Sequence, residues 1–204
     1  MDYSPGLRGV VAGETEISTV GMEGTSLRYR GYDAIELTKT HTYEDVASLI
    51  IDDNLDGKLF KETFSDHYEN LLNDKDLIKL IDNLKVEQHP MDVMRTAISY
   101  IGQADERDKL QAASKVTAIA CLVIASYNDQ PSSQLDADYT VASSLLPNTA
   151  SNQQHEALDD MLILYAEHGF NASTFAARVT ASTRSDLTSA IVSGVGTLKG
   201  ELHG

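Results

Sequence analysis

The chain has 204 residues, 42% of them hydrophobic, which suffices for one packed core and is marginal for two. Sixteen Lys and Arg against 31 Asp and Glu give a formal net charge of −15 and a pI near 4.6. Such a field repels phosphate backbones and anionic lipid heads, so nucleic acid and membrane surfaces are poor partners, and an anionic substrate would need a locally positive pocket.

Residues 1–35 differ from the rest. Gly6, Gly9, Gly13, Gly21, Gly24 and Gly31 punctuate Val10-Val11, Glu16-Ile-Ser-Thr-Val20 and Ser26-Leu-Arg-Tyr-Arg30. These short, partly β-branched runs between turn residues predict small strands or a hairpin. The opening Met-Asp-Tyr-Ser-Pro-Gly-Leu-Arg lacks a basic stretch followed by an apolar one, so no signal peptide is expected there.

From residue 36 the period is helical, and an all-α body is predicted over 36–204. Thr42-Tyr-Glu-Asp-Val offers an N-cap threonine with an acid three residues on, ahead of Val46, Leu49 and Ile50. Phe60, Phe64, Tyr68, Leu71 and Leu72 stripe a helix over 59–72, and Leu77, Ile78, Leu80, Ile81 and Leu84 stripe the next. Pro90 opens a helix that Gly102 stops. A helix over 109–127 holds the apolar run around Cys121, which is shorter than the ~20 residues a bilayer span takes. Cys121 is the only cysteine, so no disulfide forms within the chain; a buried structural thiol and a cytoplasmic location are expected.

Three more helices are predicted: about Gln154 to His168, one capped by Asn171, and one from Ser185-Asp186 to about Leu198. The last, Ala190-Ile-Val-Ser-Gly-Val-Gly196, carries small residues that permit close helix packing.

Of six histidines, His41, His67, His89 and His155 stand among polar neighbours and read as solvated surface residues. His168 closes a helix whose apolar face is Leu158, Met161, Leu162 and Tyr165, and is followed by glycine and an Asn-Ala-Ser-Thr helix start. The N–H groups and dipole of such a start offer a seat for a carboxylate; the plainer reading is a C-terminal histidine favoured by its own helix dipole. His203 lies in Gly200-Glu-Leu-His-Gly204, where backbone permits close approach unless the segment is only a flexible end. The two are 35 residues apart, and an antiparallel helix pair between them returns both to one end. There is no HExxH, CxxC, Walker A, GxGxxG after a strand, or GxSxG elbow, and no spacing that argues for a metal.

Several segments together resemble the citrate synthase family. They are Gly6-Leu-Arg-Gly-Val-Val-Ala-Gly-Glu-Thr15, Ile17-Ser-Thr-Val-Gly21, Leu27-Arg-Tyr-Arg-Gly-Tyr-Asp33, Thr42-Tyr-Glu-Asp-Val-Ala47, His89-Pro-Met-Asp-Val-Met-Arg-Thr96, Asn171-Ala-Ser-Thr-Phe-Ala-Ala-Arg178 and Leu198-Lys-Gly-Glu-Leu-His-Gly204. The wording looks most like bacterial citrate/2-methylcitrate synthases. The resemblance implies a helical two-domain homodimer that condenses an acyl-CoA, acetyl-CoA or propionyl-CoA, with oxaloacetate. It implies acyl-CoA as co-substrate, no covalently bound cofactor and no metal. Residues 36–204 would be the large helical domain, ending at the hinge to a small domain.

By the same resemblance, His168 and Asn171 line the oxaloacetate pocket, and His203 hydrogen-bonds the thioester carbonyl as the enol forms. Such chemistry needs a pre-placed donor for the developing charge, a base, and a donor for the attacked ketone. In the family the last two are an aspartate and a further histidine beyond the segments matched here, as are most CoA contacts. Two departures stand out: Gly169 where the family has glutamate, and Glu201 where it has proline. Efficient turnover by these 204 residues alone is therefore not expected. The alternative is a non-catalytic helical module, for dimerisation or metabolite binding, derived from the same fold.

Overall fold

The structure is a computed structural model and describes residues 11–20, 26–102, 108–128 and 139–203. It opens with a three-stranded antiparallel sheet in sequential order: β1 (Ser18–Thr19), β2 (Arg28–Tyr29) and β3 (Tyr32–Asp33). Ser18 lies opposite Tyr29, which lies opposite Tyr32. Arg30 and Gly31 turn β2 into β3 with φ of +48° and +89°, the two-residue turn whose twist matches paired strands. β1 and β2 fall inside the expected runs, and Val11 is exposed and outside any strand. Val10, with Gly6, Gly9, Gly21 and Gly24, lies outside the described residues. The third strand is an addition to the expected pattern. Asp33 ends it and also caps α1 (Ala34–Thr38), accepting from the N–H groups of Ile35 and Glu36.

Thr42 and Asp45 form the expected capping box of α2 (Tyr43–Asp52), each side chain accepting from the other's backbone N–H. α3 (Lys58–Leu72) buries Phe60, Phe64, Tyr68 and Leu71 along one stripe, and α4 (Lys75–Leu84) buries Leu77 and Ile81. Pro90 stands at the first position of α5 (Pro90–Ile101), where its missing N–H costs nothing, and Gly102 at φ +70° ends it. α6 (Lys109–Tyr127) is the hub, packed against α2, α3, α4, α5 and the short α7 (Val141–Leu145). By length and composition α6 is long and apolar enough to cross a membrane, contrary to the expectation for its apolar run. Here Ala118, Ile119, Leu122 and Val123 bury it in the core instead. Cys121 is buried as expected, and burial pushes its thiol up to about 12.

α8 (Asn152–Leu164), α9 (Ala172–Ser182) and α10 (Leu187–Leu198) complete the fold. α8 corrects the expected span of Gln154 to His168: it begins in a capping box of Ser151 with Gln154 and stops four residues before His168. The cause is at its end, where the Ile163 carbonyl accepts from the buried Tyr29 hydroxyl at 2.7 Å and also from Ala166 N. The expected apolar face fails with it. Ile163 is buried, Leu158 and Leu162 are half-buried, and Met161 and Tyr165 are 56% and 83% exposed. The histidines expected on the surface are a second correction: His89 is exposed, but His41, His67 and His155 are half-buried, and the His67 ring lies 3.2 Å from Gln111 Oε1, with burial lowering its pKa.

Candidate functional site

α9 and α10 lie antiparallel along each other, and small residues bring them close. A Cβ added at Gly194 would sit 3.4 Å from the Ser173 carbonyl and 3.6 Å from the Ala177 Cβ. The pair brings the start of α9 and the end of α10 to one place, where His168, Asn171 and His203 meet.

Asn171 organises it. As N-cap of α9 its Oδ1 accepts from Thr174 N at 2.8 Å and from Ser173 Oγ at 2.7 Å. Two donors on Oδ1 fix which way the amide points, so Nδ2 is the atom 3.2 Å from His168 Nε2, and it donates there. In the neutral ring the His168 proton is therefore on Nδ1. His203 is arranged likewise from the other helix: its Nε2 accepts from Ser173 N at 3.0 Å. That leaves the Nδ1–H of a neutral His203 as a donor. Each imidazole thus spends one nitrogen on the protein and keeps one proton for a ligand.

His168 is exposed in the loop between α8 and α9, and His203 is half-buried. Because α8 ends at Leu164, its dipole does not act on His168 at close range. The expected carboxylate seat at the start of α9 is also altered: Ser173 N is taken by His203 and Thr174 N by Asn171. At those two positions imidazole and amide groups stand where free backbone N–H was expected. Gly169, the first departure, has φ +87°, a conformation strained for any side chain. Glu201, the second departure, is exposed.

Several supports escape a reading of the sequence. Asp92 of α5 accepts from Lys199, the residue after α10, at 2.5 Å and from Arg95 at 3.0 Å, and the Lys199 hydrogen bond holds its carboxyl below the usual range. Phe170 lies under the Arg178 guanidinium, 4.6 Å from its centroid, with Gly13 against the ring. Glu167 accepts from Ser18 Oγ and from Gly169 N. The i to i+3 spacing of Asp92 and Arg95 on α5 signals that pair; nothing local signals the reach of Lys199 to Asp92 or of Ser18 to Glu167.

Comparison with known proteins bears on the family and the fold. The family profile described as Citrate synthase, C-terminal domain matches residues 6–204. The 2-methylcitrate synthase of Shewanella oneidensis is 37% identical, over 98% of this chain and 57% of the relative. The citrate/2-methylcitrate synthase of Bacillus subtilis is 36% identical, over 99% of this chain and 59% of the relative. The chain thus spans a little under three fifths of the curated relatives it matches. Among solved structures, citrate synthase from Thermotoga maritima superposes with a TM-score of 0.78 at 28% identity, over 98% of this chain and 56% of that one. A ternary complex of Thermoplasma acidophilum citrate synthase with carboxymethyl coenzyme A and oxaloacetate superposes at 0.83 with 24% identity, over 99% of this chain and 57% of that one, a likeness of fold. With a profile match over nearly its whole length and a helical fold shared with solved members, the chain belongs to the citrate synthase family.

Proposed function

We propose that this chain supplies the oxaloacetate-binding and thioester-polarising half of a citrate/2-methylcitrate synthase-type site, which condenses acetyl-CoA or propionyl-CoA with oxaloacetate. The observation that carries this reading is the pairing of His203 with Ser173 N beside the His168–Asn171 contact. It puts two proton-bearing imidazoles at one end of the α9–α10 pair.

In this reading His168 and Asn171 bind oxaloacetate, with His168 Nδ1–H donating to one of its oxygens. His203 Nδ1–H donates to the thioester carbonyl. As a proton leaves the acyl α-carbon, negative charge grows on that oxygen, and a donor already held by Ser173 stabilises it without reorganising. The enol carbon then attacks the oxaloacetate ketone. The base that takes the α-proton and the donor to the ketone, an aspartate and a histidine in the family, have no counterpart among the residues matched to its motifs here. Acyl-CoA acts as co-substrate, with no covalently bound cofactor. A homodimer fits the outward faces of α8 and α9, where Met161, Leu164, Tyr165 and Val179 are each at least 40% exposed.

Calorimetry with oxaloacetate and a thiol-release assay with acetyl-CoA or propionyl-CoA test the reading. Oxaloacetate should bind the wild-type chain, His168→Ala should weaken it by about tenfold or more, about 1.4 kcal/mol, and no thiol should be released by the chain alone. Turnover by these 204 residues would overturn the half-site assignment. Absence of oxaloacetate binding would leave a dimerising module.

A further inference from the structure

We propose that Glu167 is a positioning residue for His168, tying the histidine's turn to the N-terminal sheet through Ser18. The inference rests on the reading of His168 as an oxaloacetate ligand and adds what holds that ligand in place.

One carboxylate oxygen does both jobs. Glu167 Oε1 accepts from Ser18 Oγ at 2.9 Å, across 149 residues of sequence, and from the backbone N–H of Gly169. The second bond closes a small ring around His168, running from the side chain of the residue before it to the amide of the residue after it. The His168 backbone is thereby fixed on both sides. The ring needs the left-handed Gly169, at φ +87°. The first bond anchors the ring to β1, so the turn does not drift as a unit.

His168 needs such help. It is exposed, and its ring has a hydrogen-bond partner in Asn171 alone among the contacts described. An exposed side chain held at one atom keeps much of its rotational freedom, and ordering it on binding costs affinity. Tying down the backbone beneath it spends that entropy in folding. Phe170 adds a stop on the other side, packed between Gly13 and the Arg178 guanidinium. Both ties reach the turn from residues 11–20, so the N-terminal segment works as a strap across the site. The acceptor role needs an oxygen, not a charge, which separates this role from acid–base work.

The test uses the whole chain with Glu167→Ala, Glu167→Gln, Ser18→Ala and Ser18→Thr, read by oxaloacetate calorimetry and by the Gly169 amide and His168 ring resonances. Glu167→Ala and Ser18→Ala should weaken oxaloacetate by about tenfold or more, while Glu167→Gln and Ser18→Thr, which keep the acceptor and the donor, should stay within about threefold. Glu167→Ala should also move the Gly169 amide and His168 ring resonances. Equal affinity in all four variants would overturn the proposal, as would a lower melting temperature with affinity unchanged. If the wild-type chain takes up no oxaloacetate, the functional reading falls separately and the resonances of the distant variant decide: unmoved in Ser18→Ala they overturn the strap, moved in Ser18→Ala and restored in Ser18→Thr they uphold it.

Discussion

Asp159 shows how one residue couples this fold to pH. Its carboxylate accepts from Tyr43 N, at 3.1 and 3.2 Å, and so helps open α2. Burial raises its pKa to about 6, with the charges of Glu44, Asp160 and Asp45 pushing the same way against the Tyr43 hydrogen bond. The folded state therefore holds this proton more tightly than the unfolded chain, whose carboxyl titrates near 3.8. Its contribution to stability is complete below that value and is lost as pH rises through about 6. An asparagine in place of the acid keeps an oxygen for Tyr43 N and carries no charge. Urea unfolding should show Asp159→Asn more stable than wild type at pH 7.5 and matched to it near pH 4; equal stability at both would remove the carboxylate as the cause. At this scale the sequence was legible where chemistry is local. Asn171 as cap and Cys121 as a buried thiol follow from neighbours, whereas Ser18, a donor to Glu167, and Lys199, a donor to Asp92, lie 149 and 107 residues away.

Helix starts were readable for the same reason that some helix ends were not. Thr42, Asn171 and Asp186 each accept from the N–H three residues on, and Pro90 dispenses with its own, so each signal is written within a single turn. The end of α8 depends on the Tyr29 hydroxyl, 134 residues back, and no periodicity announces it. Contact between elements also fixes Gly57, which precedes α3 with its N–H on Asp45 Oδ1 at 2.9 Å. A Cβ there would lie 2.4 Å from Asp45 N and 2.5 Å from Glu44 C, both backbone atoms at the start of α2. Gly57→Ala must push α2 and α3 apart, and should cost about 1–3 kcal/mol in chemical denaturation. A cost below a few tenths would show that the two helices yield freely.

For the molecule as a whole, the open question of assembly rests on α8 and α9. α9 has no buried residue; its outward face carries Val179, 50% exposed, and α8 carries Met161, 56% exposed. If a second copy covers this face, light scattering should give twice the 22.2 kDa chain mass, and Met161→Asp with Val179→Asp should return it to one. A wild-type monomer would end that reading. The all-α body and the meeting of His168 and His203 were legible because helix periods, caps and an antiparallel return suffice to specify them; the strap from the sheet was not, since it joins residues 149 apart in sequence. That joining has a consequence for birth of the protein. Tyr29 and Ser18 find Ile163 and Glu167 only after some 134 to 149 further residues have been made. At about 5–20 residues per second the nascent sheet waits on the order of ten seconds beside the ribosome with its docking partner unmade. Its three strands are only two residues each, and until a helix packs on them they are marginal in water by themselves.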